Sequence, residues 1–103
     1  MGLETLAKHL IAGDWAGADA LLAPLASRAD AHPSLVYNWG KVLIELDRPT
    51  DAARALERVV SADPTHVNGW FELGRAAVLC EDYQTANHAF GRAHVLDPDD
   101  ADA

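Results

Sequence analysis

Displaced by 34 positions, this sequence lies on itself, and no other property limits its fold so tightly. Gly40 falls on Gly74, Ala52 on Ala86, Leu56 on Phe90, Arg58 on Arg92, and Asp63-Pro64 on Asp97-Pro98. The opposite displacement gives a weaker copy: Trp15 underlies Pro49 and Tyr83, Ala18 underlies Ala52, and Leu22 underlies Leu56. Three units follow, about 1–32, 33–66 and 67–100, the first lacking the opening residues of its first helix. Such a chain stacks one supersecondary unit on the next, because a single unit cannot bury its own apolar face.

Each unit reads as two helices. In the third, Trp70, Leu73, Gly74 and Ala77 recur at three and four, which is one face of a helix. Thr65, just after Pro64, is the predicted N-cap. Glu81-Asp82 marks the turn, with Asp82 capping a helix that carries Tyr83, Ala86, Phe90 and Ala93 until Asp97-Pro98 stops it. The second unit repeats the plan, with Pro33 at a helix start and Val36, Trp39, Gly40 and Leu43 on a stripe. Pro49 then occupies a permitted first-turn position before Ala52, Leu56 and Val59. In the first unit Asp14 caps a helix bearing Trp15, Ala18, Leu22 and Leu25, and Pro24 is expected to kink it or open its ladder near Ala20.

Composition agrees with helix. Half of the 103 residues are apolar, Ala and Leu dominate, and β-branched residues are sparse. The length fits one domain over 1–103, with an acidic tail at 97–103. A formal net charge of −8 repels phosphate backbones and anionic lipid, which makes nucleic acid and membrane surfaces poor partners. A lone cysteine, Cys80, has no internal disulfide partner, and no apolar run approaches the roughly 20 residues of a membrane span. The amino terminus MGLETLAKHL has an early Glu4 and no basic region followed by a long apolar stretch, so a secretory signal is not expected and a cytoplasmic location is.

Candidate chemistry is thin. Histidines at 9, 32, 66, 88 and 94 form no i, i+4 pair and no HExxH, so no metal site is expected, and His32 and His66 read as linkers or caps. Cys80 stands beside Glu81 and Asp82, whose charges disfavour a thiolate. There is no G-x-S-x-G and no phosphate-cradling loop; Gly13, Gly17, Gly69 and Gly91 are isolated. Glu81-Asp82 and Asp99-Asp100 suit capping or solvation better than acid–base work. The expectation is a chain that is not an enzyme and carries no cofactor.

The pattern W-x2-L-G-x2-Y, A-x3-F, P on a 34-residue period resembles the tetratricopeptide repeat. The third unit supplies Trp70, Leu73, Gly74, Ala86, Phe90, Ala93 and Pro98, with Ala77 where Tyr is usual. The second supplies Gly40, Ala52, Leu56 and Pro64, with Val36 and Trp39 in place of the usual Trp and Leu. The first departs most, with Leu6 at the Gly position and its Pro displaced to Pro33. The resemblance implies an all-α fold: a right-handed superhelical stack of antiparallel helix hairpins, an α-solenoid of about three units. In it Gly40, Gly74, Ala52 and Ala86 let helices approach, while Trp70, Tyr83 and Phe90 fill the gaps between units.

It also implies a module that binds a protein or peptide segment in a concave groove lined by the first helix of each unit. Residues not spent on packing then face the groove: Tyr37, Asn38, Lys41 and Ile44 on one stripe, and Asn68, Phe71, Arg75 and Val78 a unit later, with Glu72 beside them. Two aromatics beside two cations suit a ligand with apolar anchors and negative charge. The competing expectation has Tyr37 and Phe71 packing between units, and Lys41 and Arg75 pairing with Glu72 or Glu45. The carboxylate clamp of the chaperone-binding subclass is not expected. Its positions read Leu3, Ala7, Asn38, Asn68 and Glu72, where only Asn38 fits and Glu72 repels a carboxylate. Family analogy leaves a second function open, a self-associating or regulatory N-terminal arm of a larger protein or enzyme. The sequence stops at Ala103 directly after the last helix, so Ala89, Val95 and Leu96 are expected to need cover from another copy or from a longer parent chain.

Overall fold

The computed structural model describes residues 5, 8–10 and 12–98. Helical residues at 8–10 and 12 lead into five helices: α1 Trp15–Ala26, α2 Pro33–Glu45, α3 Pro49–Ala62, α4 Val67–Leu79 and α5 Tyr83–Leu96. The described residues contain no strand. Each helix packs on its neighbour in sequence, and α2 also touches α4, so the hairpins α2–α3 and α4–α5 stack in chain order with α1 before them. This is the expected all-α stack of helix hairpins. The expectations for Leu3, Leu6, Ala7 and the tail beyond Pro98 fall outside the described residues.

One turn, used three times, sets the hairpins. Gly13, Asp47 and Glu81 have φ of 72°, 58° and 59°, and they are the same position under the 34-residue shift. At each, the left-handed residue follows the end of a first helix. The next N–H reaches back five residues, from Asp14 to His9 at 2.7 Å, Arg48 to Leu43 at 2.9 Å and Asp82 to Ala77 at 2.9 Å. The left-handed residue's own N–H bonds the carbonyl three back, at Leu10, Ile44 and Val78. This is a Schellman motif, which ends a helix by satisfying its last carbonyls. Only the first copy uses glycine, the residue that adopts this backbone without steric cost.

Helix starts follow from local chemistry. Pro33 and Pro49 occupy first-turn positions, where a missing N–H costs nothing. Asp14 and Asp82 accept from the N–H of Gly17 and Thr85, as expected of caps. Thr65 does not cap α4. Its hydroxyl donates to Asp63 at 2.7 Å, and His66 caps instead, Nδ1 accepting from Gly69 N–H at 2.7 Å. His32 caps α2 in the same way, accepting from Ser34 N–H at 3.1 Å. Pro24 lies in the last turn of α1, which runs unbroken to Ala26.

The period-34 small residues are contact points between helices. A methyl group on Gly40 would lie 2.7 Å from Leu56, and one on Gly74 would lie 2.6 Å from the Phe90 ring. Ala52 and Leu56 are fully buried, and Ala86 nearly so. The main core runs from Ala26 in α1 through Leu43, Leu56 and Leu73 to Ala89 in α5, and a second cluster joins Ala18, Leu22 and Val42. The ends of the pattern differ from expectation. Leu25 is exposed, and Ala26 takes the inward place four residues after Leu22. Tyr83 fills no gap, being 62 % exposed at the start of α5. Ala89 needs no further cover because it is already buried against the preceding helices, whereas Val95 is 65 % exposed.

Candidate functional site

The first helices, α2 and α4, carry the nine residues expected to face a groove, and the structure divides them into three groups. Asn38, Lys41 and Arg75 line one cleft of about 190 Å³, together with Leu10, Trp15 and Glu45. This cleft joins residues from all three units. Lys41 Nζ stands 5.4 Å from the centroid of the Tyr37 ring, within cation–π range. Asn38 is held against its own helix, donating from Nδ2 to the Ser34 carbonyl at 2.9 Å.

Ile44 and Glu72 belong to the second group and are buried. Ile44 is 8 % exposed and joins the core cluster containing Leu73 and Ala76 of α4. Glu72 is 7 % exposed, and its carboxylate accepts from Arg75 Nη1 at 2.7 Å. A nearly buried carboxylate requires such a partner, and Arg75 supplies it while remaining partly open to solvent. Packing therefore claims part of this surface. Tyr37 stands between the two roles: its ring lies 4.9 Å from that of His66, at the start of the next unit, while Lys41 Nζ lies over it. Burial, and then the negative charge of Glu72, raise the phenol's pKa above its ordinary value, so the ring is a neutral hydroxyl donor near pH 7.

Asn68, Phe71 and Val78 form the third group, exposed on α4. Phe71 leans on Phe90 with centroids 5.7 Å apart and keeps 45 % of its surface open. Tyr37 and Phe71, and likewise Ile44 and Val78, are equivalent in sequence but not in exposure. A following unit covers the members on α2, and no described residue does the same for those on α4.

Leu10 and Trp15 escaped sequence reasoning as groove residues, and Glu45 entered it only as a pairing partner for Lys41 or Arg75. Glu45 sits one helical turn after Lys41, and Leu10 is the equivalent of Ile44 under the 34-residue shift. Trp15 was assigned wholly to packing, yet it reaches the cleft from the first residue of α1. Among the described residues no group of three or more His, Cys, Asp or Glu side chains is arranged to hold a metal ion. No described helix is long and apolar enough to cross a membrane.

A module of stacked helical hairpins, with packing residues on a 34-residue period and an open face on its first helices, defines the class. Residues 33–76 match the model of the tetratricopeptide repeat family. Repeats of this family generally mediate protein–protein interaction. No curated protein matches the chain.

Proposed function

We propose that the chain is a protein-interaction module that takes an extended or helical segment of a partner along the face of α2 and α4. The observation that supports this reading is the cleft that brings Lys41 and Arg75, 34 residues apart, beside the apolar Leu10 and Trp15. Its chemistry suits a segment with an apolar anchor flanked by negative charge. Trp15 and Leu10 give the anchor a surface, while Lys41 and the outward part of Arg75 meet the charge. The test is quantitative capture of partner by the immobilised chain and by a Lys41→Glu/Arg75→Glu double variant. The double variant should retain its helical circular dichroism and lose capture. Capture undiminished by the double change places the site elsewhere.

A second reading rests on a separate observation. Phe71, Val78, Leu79, Tyr83 and Val95, five of the six large apolar residues with substantial exposure among the described residues, all lie on α4 and α5. That concentration supports self-association, or docking within a larger protein, through the last hairpin. Light scattering of the purified chain tests it. Self-association predicts a concentration-dependent mass that falls to the monomer's in Val95→Asp; a monomer at every concentration sinks self-association and leaves only docking within a larger protein.

A further inference from the structure

The eight basic residues of this acidic chain are not spread evenly: Arg48, Arg54 and Arg58 line a single cleft of about 270 Å³ between α1 and α3. It shares no lining residue with the cleft on α2 and α4. Ser27, at the end of α1, closes one side, and Trp39 forms part of the wall.

The three guanidinium groups differ in how they are held. Arg58 is fixed by structure: Nη1 and Nη2 donate to the carbonyls of Ala26 and Arg28 at 2.9 and 2.7 Å, tying off the end of α1. Arg48 is held by Asp51, through Nε at 3.1 Å and Nη2 at 2.8 Å, with Asp19 at 3.7 Å. Asp19 is anchored in turn by the Trp39 indole N–H at 2.8 Å. Arg54, one turn from both Asp51 and Arg58 on α3, is exposed and has no hydrogen bond or ion pair to any described residue.

The chain provides its own control. Shifted by 34, the corresponding positions between α3 and α5 read Asp82, His88 and Arg92, with Leu73 for Trp39. Arg58 recurs as Arg92 and is explained by the repeat. Arg48 and Arg54 do not recur. Arg48 moreover stands where Asp14 and Asp82 cap their helices, and α3 accordingly starts without a side-chain cap. An arginine that forgoes a cap, beside one with no partner and one prefixed by carbonyls, is not accounted for by folding.

We propose that this cleft is a second binding site, which takes the carboxylate side chains of an acidic protein segment. Arg54 supplies the unpaired fork for a bidentate contact, Arg48 a guanidinium already oriented by Asp51, and Trp39 an apolar wall. The net negative charge of the chain disfavours such a ligand over most of the remaining surface, the Lys41–Arg75 cleft excepted.

The probe is a synthetic peptide of alternating Glu and Gly, titrated at low ionic strength into the whole chain and followed by the amide and arginine Nε–H resonances. The same sequence with Gln for Glu, and inorganic phosphate, serve as comparisons. Saturable shifts at Ser27, Arg48, Arg54 and the Trp39 indole are expected with the Glu peptide alone. Arg54→Glu should weaken binding about tenfold or more. The Lys41→Glu/Arg75→Glu variant should bind the peptide as the parent does, which separates this site from the first. Equal binding of the Gln peptide, stronger response to phosphate, or an Arg54→Glu chain that binds unchanged each overturns the proposal. So does binding that Lys41→Glu/Arg75→Glu removes, which assigns the acidic peptide to the α2–α4 cleft.

Discussion

Gly40 and Gly74 carry the geometry of the stack at the scale of single residues. Each faces a large side chain 16 positions on, Leu56 or Phe90, at a separation that leaves no room for one more carbon. Gly40→Ala should therefore destabilise by about 1–3 kcal/mol through overpacking, read as a lower urea midpoint. Leu56→Ala, which empties the other side of the same contact, should cost about 2–5 kcal/mol. The left-handed turn gives the opposite sign. Asp47 and Glu81 hold a conformation that costs a side-chain-bearing residue about 1 kcal/mol, while Gly13 holds it freely. Glu81→Gly should accordingly raise the melting temperature, and a fall would show that Glu81 makes a contact worth more than the strain. The three equivalent turn positions were open to inspection in the sequence, but an Asp and a Glu do not announce left-handed backbone as a glycine does.

For the helix as a unit, the caps decide both stability and its dependence on acid. The Asp14 carboxyl is held below the ordinary aspartate value of 3.8 chiefly by the Gly17 N–H, and Asp82 and Asp63 by the side chains and N–H groups of Thr85 and Thr65. Lowered folded values mean that these groups contribute fully above the unfolded value and lose their contribution as pH falls through the folded one. Thermal melts should thus hold steady down to about pH 4 and drop below it. Asp82→Asn keeps a capping oxygen without a titrating one, so its drop should be shallower. An identical acid profile in this variant would show that Asp82 does not contribute. Arg48→Ser, supplying the cap that α3 lacks, should stabilise by about 0.5–1 kcal/mol in chemical unfolding.

The helices and their repeat were legible in the sequence because spacing alone carries them: Trp70, Leu73 and Ala77 state a helix face whatever surrounds it. The cap of α4 was misplaced because Thr65 is the better capping residue by type. Asp63 had already engaged its hydroxyl, and only the three-dimensional turn shows that.

Across the whole molecule, position in the stack determines what a residue does. Ile44 and Val78 occupy one place in the repeat, yet one is core and the other surface, because Ile44 packs in the cluster that includes Leu73 and Ala76 of α4, and no following unit among the described residues covers Val78. Sequence equivalence cannot convey this, and so the groove read from the stripe included two residues, Ile44 and Glu72, that packing had claimed. What survives is smaller and more specific: Asn38, Lys41 and Arg75 around one cleft, with Tyr37 beside it. That cleft as the partner's seat is the central claim, and a photoreactive amino acid placed singly on the surface tests it most directly. At position 38, inside the cleft, irradiation with captured partner should yield a covalent adduct. At position 84, exposed on α5, it should yield none. Adducts at 84 without any at 38 would contradict the account and move the binding surface to the last hairpin.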